Sequence, residues 1–130
     1  MQTIRMLLVD DSSTFLDSAA DFLSRHARLE IVGRAENGSE GVRLARELSP
    51  HLVLMDMAMP VMNGLLATRY IKLLPRPPHV VIVSLHDQSS FRLNAAQAGA
   101  DGFIPKDKFG DMVVTLIDSL FPIPEEDWHS

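Results

Sequence analysis

Cysteine is absent from this 130-residue sequence, and tryptophan and tyrosine occur only once each. Without cysteine the chain can form neither disulfides nor thiolate metal sites, which agrees with a reducing compartment. Basic residues are also few, since 12 Lys and Arg stand against 17 Asp and Glu, giving a net charge of -5. This balance argues against a nucleic-acid-binding surface, which needs a basic patch.

Long hydrophobic runs are also missing. The longest runs, such as Leu52–Met55 and Val80–Val83, are far too short to cross a bilayer. The first residues, Met-Gln-Thr-Ile-Arg, lack the features of a secretory signal, so we expect a cytoplasmic protein without membrane contact. The length suits one domain, which we expect to cover residues 1–121, with a tail or linker over residues 122–130.

Five short apolar runs alternate with five longer segments that have helical apolar spacing. The runs are Ile4–Val9, Leu29–Ala35, Leu52–Met55, Val80–Val83 and Gly102–Ile104. Three runs are almost continuously apolar, which is typical of strands buried on both faces of a parallel sheet. Ser13 is the predicted N-cap of the first helix. The alternation predicts an α/β fold, a doubly wound five-stranded parallel sheet with five helices, and known domains of this size favour the strand order 2-1-3-4-5.

Polar side chains stand at the carboxyl ends of four of these predicted strands. They are Asp10, Asp11, Asp56, Ser84 and Lys106. In the order 2-1-3-4-5 the first, third, fourth and fifth strands are neighbours, so these side chains should meet at one edge of the sheet. Each residue alone has an ordinary explanation as a cap, a turn former or a solvated side chain. Their convergence favours a functional site.

The chemistry of this set points to phosphoryl transfer. Three carboxylates in one place repel one another unless a cation lies among them, and oxygen ligands suit Mg²⁺. Asp56 can attack a phosphoryl group to give an acyl phosphate. The cation and Lys106 would neutralise charge on the transferred oxygens, and the Ser84 hydroxyl can donate a hydrogen bond to one of them.

The chain resembles the receiver domain of two-component response regulators across nearly its whole length, from Thr3 to Phe121. The shared segments are LLVDDS, LVLMDMAMPVMNG, VIVS and GADGFIPKD. The successive intervals of 46, 28 and 22 positions from Asp10 through Asp56 and Ser84 to Lys106 also suit the family. The resemblance implies a flavodoxin-like fold and a magnesium-dependent phosphorylation of Asp56.

The resemblance also implies a metal-ligand set. Asp11 and Asp56 would bind Mg²⁺ directly, and Asp10 would act through a water molecule. The backbone carbonyl of Ala58 would complete the protein ligands. Four residues, Asp10, Asp11, Asp56 and Ala58, therefore form the expected metal site.

The same resemblance assigns the phosphoryl-binding and switch residues. Ser84 and Lys106 would bind the phosphoryl group, and Phe103 matches the aromatic side chain that turns inward when Ser84 moves. Many receivers carry proline after the lysine, whereas here Asp107 follows and Pro105 precedes it. A proline is tolerated in an edge strand, so the fifth strand is expected to survive while the loop after it differs from the family pattern.

The implied partners are a sensor histidine kinase or a histidine phosphotransferase, and an effector that the sequence does not identify. Phosphorylation would change the surface of the fourth helix, fifth strand and fifth helix. No enzyme activity and no direct nucleic-acid binding are expected. The chain has no Lys or Arg after Lys108, so a dimer built on charge pairs of the fifth helix lacks cations, and we expect a mainly monomeric unphosphorylated protein.

Three alternatives use the same architecture. A phosphatase or phosphotransferase usually needs a second acid two residues after the nucleophile, where this chain has Ala58. A flavin-binding domain would place its phosphate loop at Asp10 and Asp11, which would repel it. A pseudo-receiver that never takes a phosphoryl group would not need the complete acidic set with Lys106.

Overall fold

The computed structural model describes residues 3–86 and 89–123. The strands are β1 (Ile4–Val9), β2 (Leu29–Ala35), β3 (Leu52–Asp56), β4 (His79–Ser84) and β5 (Gly102–Pro105). The helices are α1 (Ser13–Ser24), α2 (Gly38–Leu48), α3 (Gly64–Lys72), α4 (Ser89–Gln97) and α5 (Phe109–Leu120). None of the described helices is long and apolar enough to cross a membrane. Residues 124–130 of the predicted tail lie outside the described residues.

The five strands form one sheet in the order β2-β1-β3-β4-β5, and every neighbouring pair is parallel. This confirms the predicted fold class and strand order. Pro105 is the last residue of the edge strand β5, where it pairs with Ser84. The missing N–H of a proline is harmless at an outer edge, which explains why the strand accepts it.

Two apolar cores cover the two faces of the sheet. On one face α1 and α5 pack over alternate strand residues, which include Met6 and Leu8. On the other face α2, α3 and α4 pack over the intervening residues, which include Leu7 and Val9. Both faces of β1 and β3 are therefore buried, and this is why their sequences are apolar without alternation.

Side-chain caps fix where α1 and α3 begin. Ser12 caps α1, because its Oγ accepts a hydrogen bond from the N–H of Phe15 at 3.2 Å. The prediction of Ser13 as this cap was wrong by one position. The Asp10 carboxylate accepts a hydrogen bond from the Ser12 N–H at 2.9 Å, which places Ser12 at the turn into the helix. Asn63 caps α3 in the same way, accepting from the N–H of Leu66.

Asp101 joins three elements at the end of the sheet opposite the polar strand ends. Its Oδ2 accepts hydrogen bonds from Lys72 Nζ at 2.6 Å and from the Val80 N–H at 2.8 Å. Burial acts to raise the pKa of Asp101, but the hydrogen bonds from Lys72 and Val80 outweigh it and hold that pKa below its usual value. The ionised form of Asp101 therefore stabilises the fold.

We expect Asp101→Asn to lower the free energy of unfolding at neutral pH by about 1 kcal/mol, after allowance for solvent screening of a partly exposed pair. Because the folded pKa is depressed, the contribution is complete above the unfolded pKa of about 4 and disappears as the pH falls through the folded value. Urea unfolding of both proteins at several pH values tests this. Asp21→Asn is the control, since Asp21 and Arg25 form an exposed pair whose loss should be nearly neutral.

Candidate functional site

The polar strand ends meet at the carboxyl edge of the sheet, as the strand order requires. Asp10 directly follows β1, Asp56 ends β3, Ser84 ends β4 and Lys106 directly follows β5. Three of these side chains are almost inaccessible, with Asp10 2%, Asp56 6% and Ser84 1% exposed. Buried polar groups are costly unless they have partners, so their grouping here requires charge or hydrogen-bond compensation.

Asp10, Asp11 and Asp56 form one acidic cluster. Each offers a carboxylate oxygen, and these oxygens all lie within 4.8 Å of one another. Asp11 is exposed, whereas the other two side chains are buried. Asp10 Oδ1 accepts a hydrogen bond from the Ser12 N–H, but its Oδ2 is buried without a hydrogen-bond partner in the described residues. One exposed and two buried carboxylates, with a buried Asp10 oxygen that lacks a hydrogen bond, fit a hard divalent cation such as Mg²⁺.

Lys106 supplies the positive charge at this edge. Its Nζ lies 2.8 Å from Asp10 Oδ2, an ion pair without hydrogen-bond geometry, and 3.7 Å from Asp56 Oδ1. Only 12% of the Lys106 side chain is exposed. Burial, followed by the charge of Asp10, raises the pKa of Asp56 to about 7, although Lys106 acts to lower it. One ammonium thus leaves part of the negative charge of the cluster uncompensated.

Ser84 is held by the loop that follows its strand. Its Oγ accepts a hydrogen bond from the His86 N–H at 3.1 Å, so the hydroxyl hydrogen stays available for another acceptor. The His86 ring is exposed and stacks on Phe91, with ring centroids 5.2 Å apart. His86 is therefore an exposed loop residue whose backbone N–H holds the Ser84 hydroxyl oxygen.

An open cleft of about 870 Å³ lies over these residues. Asp11, Asp56, Ala58, Ser84 and Lys106 all line it. Asp56 therefore faces solvent through this cleft although its side chain is almost buried. The cleft gives a small molecule or a protruding side chain access to the carboxylate.

Phe103 does not reach this cleft. It lies on β5 and packs half-buried against the core formed with α2, α3 and α4. The guanidinium carbon of Arg92, on α4, is 4.7 Å from the centroid of the Phe103 ring. Of the residues assigned to the site from the sequence, Phe103 alone is absent from the lining of the cleft and from the acidic cluster.

The loop after β5 is a short turn that carries Lys106. Residues Lys106–Lys108 form one 3-10 turn that runs directly into α5. Pro105 precedes this turn in an extended conformation, with φ -62° and ψ 136°. The turn lets Lys106 point back to the acidic cluster without a proline after it.

Phe15 is a site residue that sequence analysis missed. Its place in an apolar helical pattern favoured a core role, and its ring does contact the core, but it also lines the cleft. The Lys106 Nζ lies 4.7 Å from the centroid of the Phe15 ring. The available signal was its position in the first turn of α1, a helix that begins directly after Asp10 and Asp11.

The chain is similar to segments of longer curated proteins. The chain is 42% identical over 119 residues to a protein-glutamate methylesterase/protein-glutamine glutaminase from Shewanella denitrificans, covering 91% of this chain and 30% of that protein. The chain thus spans less than a third of the length of that relative. Our expectation of a non-enzymatic protein is contradicted, because this relative and others like it are named as enzymes. The aligned segment is only part of each relative. Its residues could therefore not indicate an activity that belongs to the rest of those proteins.

Solved structures agree with the fold described above. The signal receiver domain of the response regulator NarL from Mycobacterium tuberculosis superposes with a TM-score of 0.87 at 27% identity, covering 92% of this chain and 97% of that one. The response regulator domain of CheB from Thermotoga maritima gives a TM-score of 0.85 at 27% identity, with coverages of 95% and 99%. The sequence model described as response regulator receiver domain matches residues 6–117. This chain therefore belongs to the response regulator receiver domain family.

Proposed function

We propose that this domain is a phosphorylatable receiver in which Asp56 accepts a phosphoryl group in a magnesium-dependent reaction. The observation that carries the proposal is the position of Asp56 at the base of an open cleft, 3.7 Å from Lys106 Nζ and within an acidic cluster. A structural role for these residues would not need three carboxylates around one ammonium, since unpaired buried charge destabilises a fold.

The proposed step is a direct displacement at phosphorus. A carboxylate oxygen of Asp56 attacks the phosphorus atom, and the new O–P bond forms as the bond to the donor's leaving atom breaks. The electron pair of that bond leaves with the donor, which is the imidazole of a phosphohistidine or acetate from acetyl phosphate. The Lys106 ammonium and the Ser84 hydroxyl are placed to bind the transferred oxygens, where they stabilise the developing charge.

The proposed metal ligands are the carboxylates of Asp11 and Asp56 with the backbone carbonyl of Ala58, and Asp10 acts through a water molecule. When bound, Mg²⁺ offsets the repulsion among the carboxylates and the negative charge of the phosphoryl oxygens. The unsatisfied Asp10 Oδ2 and the exposed Asp11 support this assignment from the side of the protein.

Labelling by acetyl phosphate tests the function. Intact-mass spectrometry should show one added phosphoryl group when acetyl phosphate and Mg²⁺ are both present, and none when Mg²⁺ is replaced by a chelator. Peptide mapping should place the group on Asp56. A protein that takes no label, or takes it on another residue, would contradict the proposal and favour a pseudo-receiver.

Metal binding gives a second prediction. We expect Mg²⁺ to raise the melting temperature, because a ligand that binds only the folded state stabilises it. Asp11→Asn should weaken the affinity for Mg²⁺ by about tenfold or more, since it removes a charged ligand. Isothermal titration calorimetry measures this without phosphorylation. Asp107→Asn is the control, because Asp107 is exposed and lines the same cleft but lies outside the acidic cluster. Equal affinity in Asp11→Asn and wild type would exclude Asp11 as a ligand.

We further infer how the phosphorylated state would reach a partner. A sensor histidine kinase or histidine phosphotransferase supplies the group, and the Ser84 hydroxyl then moves toward it. This movement gives Phe103 room to turn inward and changes the surface of α4, β5 and α5. The receiver unit of the proposal is residues 1–121, and residues 122–130 are its tail or linker. The proposed setting is cytoplasmic, without direct contact to nucleic acid or membrane.

The unphosphorylated domain is expected to be mainly monomeric in dilute solution. On α5 the charged residues are Asp111 and Asp118, and Asp118 already pairs with Arg28 of the same chain at 2.8 Å. Two such faces would bring like charges together, which costs affinity. Sedimentation equilibrium measures the mass, and a dimer in the absence of phosphorylation would contradict this expectation.

The curated relatives favour one class of output. We propose that this receiver regulates a protein-glutamate methylesterase/protein-glutamine glutaminase, as the names of relatives about 40% identical suggest. The test is the gene: its reading frame should continue from the receiver segment into a hydrolase domain. A frame that continues into another type of domain would contradict the proposed output and leave the phosphorylation site unaffected.

A further inference from the structure

Lys106 is unusually constrained for a lysine, and its surroundings are not all charged. Its ammonium lies 2.8 Å from Asp10 Oδ2, and its Nζ is 4.7 Å from the centroid of the Phe15 ring. With only 12% of the side chain exposed, few water molecules can hydrate the ammonium. The face of an aromatic ring carries partial negative charge and can replace part of that hydration.

The Phe15 ring also packs against a second aromatic ring. Its ring makes an edge-on contact with Phe109, with centroids 5.2 Å apart and planes at 77°. Phe109 is 7% exposed and belongs to the core between the sheet, α1 and α5. The ring that faces Lys106 is therefore packed against the buried core. Phe22, further along α1, contacts the same Phe109 at 6.3 Å.

We propose that Phe15 is a positioning residue for phosphoryl transfer, because its ring holds the Lys106 ammonium beside Asp56. A lysine ammonium has three donors on a flexible chain. The Asp10 carboxylate lies on one side of the ammonium as an ion partner and the Phe15 ring lies on a second side, so the ammonium keeps donors for Asp56 and the transferred oxygens. Without the ring the ammonium gains conformers turned away from Asp56. This inference rests on the proposed function of Asp56.

The substitution Phe15→Leu removes the ring but keeps an apolar side chain. We expect it to slow the labelling of Asp56 by acetyl phosphate by about two- to thirty-fold, the rate equivalent of a cation–π contact. Phe15→Tyr keeps the ring face and should restore a rate close to that of the wild type. Phe22→Leu is the matched control: it removes another aromatic contact to Phe109 from the same helix but touches no site residue, so only stability should fall.

A double-mutant cycle separates positioning from simple packing. If Phe15 acts through Lys106, Phe15→Leu should have no further effect on the labelling rate in a Lys106→Met background. A second readout needs no phosphorylation: the Lys106 ε-methylene protons should show an upfield ring-current shift that Phe15→Leu abolishes and Phe22→Leu preserves.

Each outcome decides a different point. If the wild type is labelled and Phe15→Leu is labelled at the same rate, the positioning role of Phe15 is wrong while the proposed function of Asp56 stands. The same slowing in the Lys106→Met background would assign the effect to packing and also overturn it. Absence of the ring-current shift in the wild type would show that the ring does not hold the ammonium. If the wild type takes no label, the proposed function of Asp56 is wrong, and the positioning role that rests on it is wrong as well.

Discussion

In Asp56→Asn we expect acetyl phosphate and Mg²⁺ to add no phosphoryl group at all. The amide has nearly the size and shape of the carboxylate but lacks the anionic oxygen that attacks phosphorus in the proposed step. Asp56 is the carboxylate that ends β3 at the base of the cleft, and its distance of 3.7 Å from Lys106 Nζ places it where transferred charge can be neutralised. Intact-mass spectrometry over a time course measures the loss.

The stability of the same variant shows whether that loss is chemical or structural. Asp56 is 6% exposed and stands beside Asp10 and Asp11, so its negative charge is both poorly hydrated and repelled. In metal-free buffer we therefore expect Asp56→Asn to melt at a higher temperature than the wild type. A variant that is more stable and yet takes no label has lost the nucleophile and not the fold.

Asp107→Asn is the matched control for this experiment. The same chemical change is made in the lining of the same cleft, next to Lys106, but at an exposed carboxylate outside the acidic cluster. Its labelling should match that of the wild type. Continued labelling of Asp56→Asn would move the acceptor to another carboxylate, and peptide mapping of the labelled protein would identify it.

The fold was predictable because burial leaves a clear pattern in this sequence. Strand β3 is buried along its whole length, and a strand with no solvent-facing side must be apolar throughout. The strand order alone requires that Asp10, Asp56, Ser84 and Lys106 lie at one edge of the sheet. Convergence at strand ends is a property of the backbone, and a sequence can reveal it when the elements are correctly identified.

Side-chain packing was harder to predict. Ser12 and Ser13 have the same tendency to cap a helix, and the choice of Ser12 follows from two contacts, its N–H to Asp10 and its Oγ to the Phe15 N–H. The contact of Phe15 with Lys106 joins residues on α1 and after β5 and has no signature in either segment. That the relatives are named as enzymes was also not predicted, because the residues of one domain carry no information about the activity of another domain.

Gly64→Ala should be the most destabilising single substitution near the site. A Cβ built at Gly64 would overlap the backbone oxygen of Asp56 and would lie 3.0 Å from Met57 Cα. The Gly64 N–H also donates to the Met57 carbonyl at 2.8 Å, so the first turn of α3 is attached directly to the end of β3. Neither backbone segment can move away without breaking this hydrogen bond or displacing Asp56.

We expect this substitution to lower the free energy of unfolding by about 3 kcal/mol or more, at the upper end of overpacking effects, because the obstructing atoms are backbone. The melting temperature should fall by roughly 10 °C. The protein that remains folded should bind Mg²⁺ more weakly, since the carboxylate of Asp56 shifts with its backbone. Thermal unfolding with and without Mg²⁺ measures both effects.

Gly110→Ala distinguishes this clash from a general cost of replacing glycine. Gly110 lies within α5, and a Cβ there would meet only Phe22 at 3.9 Å, an ordinary contact. Alanine is favoured over glycine inside a helix, so this variant should be stabilised by about 0.5–1 kcal/mol. If Gly64→Ala also left stability and Mg²⁺ affinity unchanged, the close approach of α3 to the end of β3 would not be what fixes Asp56 at the base of the cleft.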